Sequence, residues 1–229
     1  MKSALLCLAL LGSPLVAAER TLSVTDFDKL RVDGGFTVEV TTGRGTSARI
    51  IGTQAAIEAT SVSVQGRQMV IRKNASAWGG YPGQTAGMAT IRITVPGLTN
   101  AWVNGPAKVS VDRLKGARVA AAVEGSGELA IGGMAADNAD IAQVGSGRLT
   151  VAGTVANLTM TARGAGVLDA GALLAADAKL TSESAGQVTL SVKRAVTGTM
   201  TGSGSVTVLG KPACTIKSVG SGTVTCGVK

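Results

Sequence analysis

A short glycine-rich tripeptide recurs through the second half of the chain and constrains the fold more than any other feature. Its members are Gly125-Ser126-Gly127, Gly145-Ser146-Gly147, Gly164-Ala165-Gly166, Ser184-Ala185-Gly186, Gly202-Ser203-Gly204 and Gly220-Ser221-Gly222. An earlier variant, Gly105-Pro106-Ala107, precedes the first of them by one further interval. The interval drifts between about 18 and about 20 residues, a period that is typical of a repeat architecture. We therefore expect seven units between residues 101 and 229.

We call each tripeptide a corner, and the residues around each corner alternate between apolar and polar. Two positions after the third residue of each corner, the chain has Leu129, Leu149, Leu168, Val188, Val206 and Val224. Four positions after the same residue, it has Ile131, Val151, Ala170, Leu190, Val208 and Cys226. Between them lie Ala130, Thr150, Asp169, Thr189, Thr207 and Thr225. Six positions before the same corner residue lie Ala121, Ile141, Met160, Leu180, Gly198 and Ile216, in which Gly198 is the exception. A period of two predicts strands with one buried face.

Two strands in each unit of this length predict one coil of a parallel β-solenoid, in which neighbouring coils stack about 4.8 Å apart. Glycine suits the stacked corners because it has no Cβ to collide with the coil above. The structural turns predicted on this ground are Gly127, Gly147, Gly166, Gly186, Gly204 and Gly222. The alternative that these tripeptides belong to a flexible Gly/Ser-rich linker does not account for the alternation of apolar and polar residues. A hexapeptide solenoid would need a strict repeat, and a calcium-binding nonapeptide solenoid would need Asp after the paired glycines.

The first hundred residues also contain alternating segments. Strands are predicted at Leu30–Asp33, Phe36–Val40, Val62–Gln65, Met69–Arg72 and Thr90–Val95, with turns at Gly34-Gly35, Gly43-Arg44-Gly45 and Gly66-Arg67. The segment Thr53–Thr60 alone has a composition compatible with a helix. Because solenoid ends need protection against end-to-end pairing, we expect residues 19–100 to cap the rod and share its core.

The N-terminus has the pattern of a secretory signal peptide. Residues 1–18 carry a charge at Lys2, an apolar run over Ala4–Leu11, and a small-residue exit ending at Ala18. The run is too short to span a bilayer, and we expect Cys7 to be discarded with the signal. The prediction is an exported protein that is either periplasmic or secreted to the cell surface and is not embedded in a membrane. It has one β-helix domain over residues 19–229. Its coils occupy residues 101–229.

Composition excludes several functions. The chain has no histidine, which removes the usual general base and the commonest zinc ligand. The carboxylates Glu124, Glu128, Asp137, Asp140, Asp169, Asp177 and Glu183 are dispersed, so no acid pair is indicated, and an ion pair is expected between Glu128 and Arg148. The net charge of +8 comes from scattered basic residues, with few aromatic residues among them to stack on bases, which argues against nucleic-acid binding. We predict no catalysis, no metal and no cofactor.

The order of several segments resembles the autotransporter-adhesin head domain family, also called the head GIN domain. The resemblance rests on Phe27–Val40, Gly66–Ile71 and Ile91–Leu98, followed by the Gly-Ser-Gly series and its closing cysteines. It extends from about Phe27 to the end of the chain. The resemblance implies a right-handed parallel β-helix of secreted bacterial proteins, with a role in adhesion or at the envelope and without established catalytic residues.

Two cysteines and two aromatic residues are candidate sites. Cys214 and Cys226 lie close together in sequence at inward positions of the last coil, and in an exported chain this predicts a disulfide. The loop Trp78–Gly83 contains Trp78 and Tyr81, an aromatic pair that could grip a sugar or a peptide. The alternative is that Trp78 plugs the end of the core. We expect Trp102 to pack within the cap.

The sequence thus predicts an exported, non-catalytic β-helix module with an adhesin-like or envelope-interaction role. One alternative is a polysaccharide-binding or polysaccharide-active solenoid. Another is a structural periplasmic protein that self-associates as a homo-oligomer. The partner is not identified by the sequence; a cell-surface glycan or an envelope protein fits the prediction. Outward Thr150, Thr189, Thr207 and Thr225 form a hydroxyl-rich face that suits surface contact or remains solvated.

Overall fold

The computed structural model describes residues 18–75 and 87–228. The elements in chain order are β1 (Ala18–Leu22), β2 (Lys29–Asp33), β3 (Thr37–Thr42), β4 (Ser47–Gly52), α1 (Gln54–Glu58), β5 (Thr60–Gln65), β6 (Gln68–Lys73), β7 (Thr90–Val95), β8 (Asn100–Asn104), β9 (Lys108–Val111), β10 (Leu114–Gly125), β11 (Glu128–Gly145), β12 (Arg148–Gly164), β13 (Val167–Ser184), β14 (Gln187–Thr201), β15 (Ser205–Leu209), β16 (Ala213–Val219) and β17 (Thr223–Val228). They form one continuous 17-stranded sheet. The predicted strands and the short helix within Thr53–Thr60 are present.

Successive coils stack in parallel, which confirms the predicted all-β parallel solenoid. In the pair β11–β12, for example, Glu128 lies beside Arg148 and Gly145 lies beside Gly164. The same arrangement continues from β12 to β13 and from β13 to β14. The strands are long because each follows the coil around its bends, where the pairing register shifts, as it does between Ile131 and Met134.

The rod has about six turns rather than the seven predicted. The last corner is followed by β17, which pairs with β15.

The core is the column of inward side chains predicted from the alternation. Ala121, Ile141, Met160, Leu180, Gly198 and Ile216 are successive register neighbours. The exception at Gly198 has a steric reason, because a Cβ there would lie 2.0 Å from the carbonyl oxygen of Leu180. The coils approach too closely at this point for any side chain.

The two recurrent glycine positions of each corner serve different purposes. At the first position Gly145 has φ of +109°, a conformation that L-residues rarely adopt. At the third position Gly147 has no such φ, but a Cβ there would lie 2.4 Å from the carbonyl oxygen of Gly127 in the preceding coil. In the corner Ser184-Ala185-Gly186, Ser184 replaces the first glycine, and its hydroxyl donates to the Gly164 carbonyl oxygen at 2.9 Å.

The first hundred residues supply one coil to the interior of the rod as well as its end. Strand β2 lies between β6 and β8, and β3 lies between β7 and β9, all in parallel. The earliest coil is therefore inserted between two coils that come later in the chain. Its inward residues Leu30, Val32 and Val38 are fully buried.

The end of the rod beyond β6 and β7 is covered by antiparallel elements. Strand β5 pairs with β6, β4 pairs with β7, and β1 pairs with β4. Helix α1 begins after Thr53, whose hydroxyl accepts a hydrogen bond from the Ala56 amide at 3.1 Å, and it buries Ala56 and Ile57. These antiparallel strands cover the parallel edge that β6 and β7 would otherwise expose.

Candidate binding surface

The predicted aromatic pair lies outside the described residues. Trp78 and Tyr81 belong to the segment between residues 75 and 87, so their role as a binding pair stays a prediction. The described part of the chain places a different aromatic residue, Trp102, on the surface.

The predicted disulfide is present at the far end of the rod. The Cys214 and Cys226 sulfurs are 2.03 Å apart. Cys214 lies beside Val196 and Cys226 beside Val208, both buried inward residues of the preceding coil. The disulfide therefore joins two sides of the last coil, at positions equivalent to core positions elsewhere.

The prediction of an ion pair between Glu128 and Arg148 is wrong. The two residues are register neighbours, but Glu128 pairs with Lys108 of the preceding coil, with 3.5 Å between carboxylate oxygen and ammonium nitrogen. Glu128 has a basic residue on each side in the stack, and the flexible lysine reaches it.

A continuous outward row on the same side of the rod consists of Thr150, Asp169, Thr189, Thr207 and Thr225.

The structure also corrects the expectation that Trp102 packs inside the cap. In β8 the side chains of Ala101 and Val103 are buried, whereas that of Trp102 points outward and is partly exposed. The alternation in Asn100–Asn104 was the sequence signal for this orientation, because Ala101 lies one repeat before the inward Ala121.

Trp102 lies among small and polar side chains on a flat part of the sheet. Its register neighbours are Arg31 of β2 on one side and Ala122 of β10 on the other. Beyond Ala122 the same outward row continues with Ala142 and Thr161. Although Ala122 faces outward, it is only 9% exposed, so its neighbours shield it from solvent. The indole therefore stands beside a shelf of short side chains.

Two clefts flank the indole along the axis of the rod. The first has a volume of about 300 Å³ and is lined by Trp102, Ala122 and a set of polar side chains: Lys29, Arg31, Gln68, Asn104 and Glu124. The second has a volume of about 200 Å³ and is lined by Trp102, the alanines Ala120, Ala122 and Ala142, and Asp140, Thr159 and Thr161. We call Trp102 and the residues of these two clefts the Trp102 surface.

The charges of the Trp102 surface are mixed. Arg31 donates to Asp33, with 2.9 Å between Nε and Oδ1. Within residues 18–75 and 87–228, no ion pair joins Lys29 or Glu124 to another side chain. An ammonium group and a carboxylate are thus available to a ligand in the first cleft.

One ionisable group near this end of the rod has a shifted pKa. The hydrogen bond from Arg67 to Asp28 raises the pKa of Arg67, and the negative charge of Asp28 acts in the same direction. The pair lies at the turn before β6, where Arg67 Nη2 is 3.0 Å from Asp28 Oδ2. It holds this turn against the segment that precedes β2, and we assign it a structural role.

The described residues offer little for metal chemistry. No three His, Cys, Asp or Glu side chains within residues 18–75 and 87–228 come close enough to hold a metal ion. In the same ranges, no helix has the length and apolar character needed to cross a membrane.

The fold and surface together define a β-solenoid whose outer sheet face carries an aromatic platform between two clefts. The chain belongs to the family described as "putative auto-transporter adhesin, head GIN domain", whose model matches residues 26–212. This match confirms the family resemblance seen in the sequence. No curated protein matches the sequence significantly.

Several solved structures share this fold. A "putative adhesin" from Bacteroides fragilis superposes with a TM-score of 0.78 at 20% identity, over 93% of this chain and 97% of that chain. A "putative adhesin" from Parabacteroides distasonis has a TM-score of 0.67 at 17% identity, over 92% and 96% of the two chains. A "putative lipid binding protein" from the same organism has a TM-score of 0.67 at 16% identity, over 93% and 97%.

Proposed function

We propose that this protein is an exported, non-catalytic module that binds a partner at the bacterial cell envelope. The observation that carries the proposal is the Trp102 surface, a rigid sheet face with a partly exposed aromatic side chain and polar groups around it. Membership of an adhesin-like family supports the same conclusion. The export step rests on the signal-peptide pattern of residues 1–18 and on the disulfide between Cys214 and Cys226, which is stable in an oxidising compartment.

Each cleft of the Trp102 surface contains one carboxylate that supports a binding role. Glu124 lines the first cleft and Asp140 the second. Asp140 is the register neighbour of Ala120, so the two acids are one coil and four positions apart, or about 14 Å at Cα. An acid in each cleft therefore suits hydrogen bonding to a ligand.

Localisation tests the proposal. An epitope-tagged copy is labelled with antibody in intact cells and in cells with a permeabilised outer membrane. We expect labelling either of intact cells or after permeabilisation of the outer membrane alone. Deletion of residues 2–17 should retain the protein in the cytoplasm. Cytoplasmic fractionation of the full-length protein would refute an envelope role.

The compartment then decides the kind of partner. Labelling of intact cells directs the search to host or neighbouring-cell surfaces, whereas labelling only after permeabilisation directs it to periplasmic partners. Light scattering on the purified protein tests the self-association alternative, for which a discrete oligomer is the expected result.

A further inference from the structure

The Trp102 surface has the chemistry of a carbohydrate site. We propose that it binds a β-linked glycan chain lying along the rod axis, with one sugar ring stacked on Trp102. The proposal rests on the envelope-binding role proposed above and gives that role a ligand class. It differs from the sequence prediction, which placed the aromatic site at Trp78 and Tyr81.

An indole beside short side chains suits a sugar ring. The ring of a β-linked pyranose has apolar C–H faces and a polar edge of hydroxyl groups. Trp102 offers a large, rigid apolar surface, and Ala122 and Ala142 beside it leave room for a ring to approach. A longer side chain at either alanine position would fill the space that forms the second cleft.

The rim of each cleft supplies partners for hydroxyl groups. The first cleft contains an amide donor and acceptor from Gln68, another from Asn104, the Lys29 ammonium and the Glu124 carboxylate. The second contains Asp140 and the hydroxyls of Thr159 and Thr161. A few polar groups around an apolar platform are the usual composition of a site that fixes the orientation of a small ligand.

Other ligand classes fit this surface less well. An extended peptide binds by adding a strand to a sheet edge, but β8 is already paired with β2 and β10 on its two sides. An acyl chain needs an apolar cavity, and the first cleft carries three charged side chains. A nucleic acid would bring its phosphates near the carboxylates of Glu124 and Asp140.

The geometry also sets the direction and length of the ligand. The two clefts extend across β6, β2, β8, β10, β11 and β12, which lie side by side in that order. Five inter-strand spacings correspond to about 24 Å along the rod. This length accommodates several sugar rings in a straight chain, so affinity should increase from a disaccharide to a hexasaccharide and should favour flat, extended linkages.

Isothermal titration calorimetry with the purified full chain tests the proposal. The probes are cellohexaose and chitohexaose, with maltohexaose as a curved α-linked comparison. We expect at least one β-linked hexasaccharide to bind, and Trp102→Ala to weaken its affinity about tenfold or more, a change of about 1.4 kcal/mol or more that is typical of losing an aromatic anchor. Trp102→Phe should retain most of the affinity. Ala142→Arg should block the second cleft while the indole stays in place.

Controls separate binding from folding. Thr181→Ala changes the same outward row three coils beyond Ala122 and should leave binding unchanged. Unfolding curves of all variants should overlay, because these side chains point away from the core. The proposal is overturned if neither β-linked hexasaccharide binds, if Trp102→Ala binds like the unaltered protein, or if Trp78→Ala alone abolishes binding. Equal affinity for maltohexaose overturns the preference for a flat chain. Each of these results is independent of the localisation test.

Discussion

The close stacking of the corners makes a specific prediction for the variant Gly147→Ala. A Cβ at this position would lie 2.4 Å from the Gly127 carbonyl oxygen and 2.8 Å from Cγ1 of Val123. Neither neighbour is a flexible chain end. The Gly127 oxygen also accepts a hydrogen bond from the Arg148 amide at 2.9 Å, so moving it away weakens the pairing between two coils.

The expected cost combines three effects. Overpacking a tight interior costs about 2 kcal/mol, and loss of one buried ladder hydrogen bond costs about 1 kcal/mol. Alanine also restricts the unfolded chain, which offsets about 0.5 kcal/mol. We therefore expect Gly147→Ala to lower the free energy of unfolding by about 2.5 kcal/mol.

Gly133→Ala is the matched control for this variant. Gly133 lies in β11 and also faces the preceding coil, but a Cβ there would meet its nearest neighbour, the Asp112 carbonyl oxygen, at 3.6 Å. We expect its stability to change by less than about 0.5 kcal/mol. Urea unfolding followed by circular dichroism measures both, with the midpoint interpreted where the slope is unchanged. Equal stability of the two variants would refute the steric account of the corners.

Two further predictions concern the core and the end of the rod. Gln143 is fully buried; its Nε2 donates to the Gly145 carbonyl oxygen at 3.1 Å, whereas its Oε1 has no hydrogen-bond partner among the described atoms. Because the Gly145 oxygen also accepts from the Ala165 and Gly166 amides, Gln143→Met should stabilise the protein by up to about 1 kcal/mol in the same assay, and a clear loss of stability would contradict this. Replacing both Cys214 and Cys226 by Ser removes a cross-link worth about 3 kcal/mol in the chain-entropy model. Hydrogen exchange should then accelerate in β16 and β17 while β12 stays protected, and unchanged exchange in the last coil would count against a stabilising role.

The repeat predicted the coils correctly because it records the register directly. Residues that occupy equivalent positions in successive units, such as Ile141 and Met160, are neighbours in the stack. The corner glycines were predictable for the same reason, since the close approach of identical turns recurs in every coil.

The order of the early coils could not be predicted from local pattern. Alternation predicts that β2 and β3 are strands, but it does not reveal which strand edges they join. Their position between later strands depends on pairing over long sequence separations, as between Lys29 and Asn100. The partner of Glu128 was missed for a related reason, because Lys108 and Arg148 are both one coil away and only side-chain geometry distinguishes them.

The inserted coil also explains why the Trp102 surface occurs once along the described rod. A solenoid of identical coils presents the same face at every level, so a specific site needs a place where the repeat is interrupted. Here the insertion of β2 places Lys29 and Arg31 directly beside β8, next to an indole whose position is taken by Ala122, Ala142 and Thr161 in the next three coils. The inserted coil, which interrupts the regular repeat, therefore brings cationic, aromatic and small side chains together. A glycan site at this position would owe its specificity to the insertion, and the regular coils beyond it would serve as its rigid support.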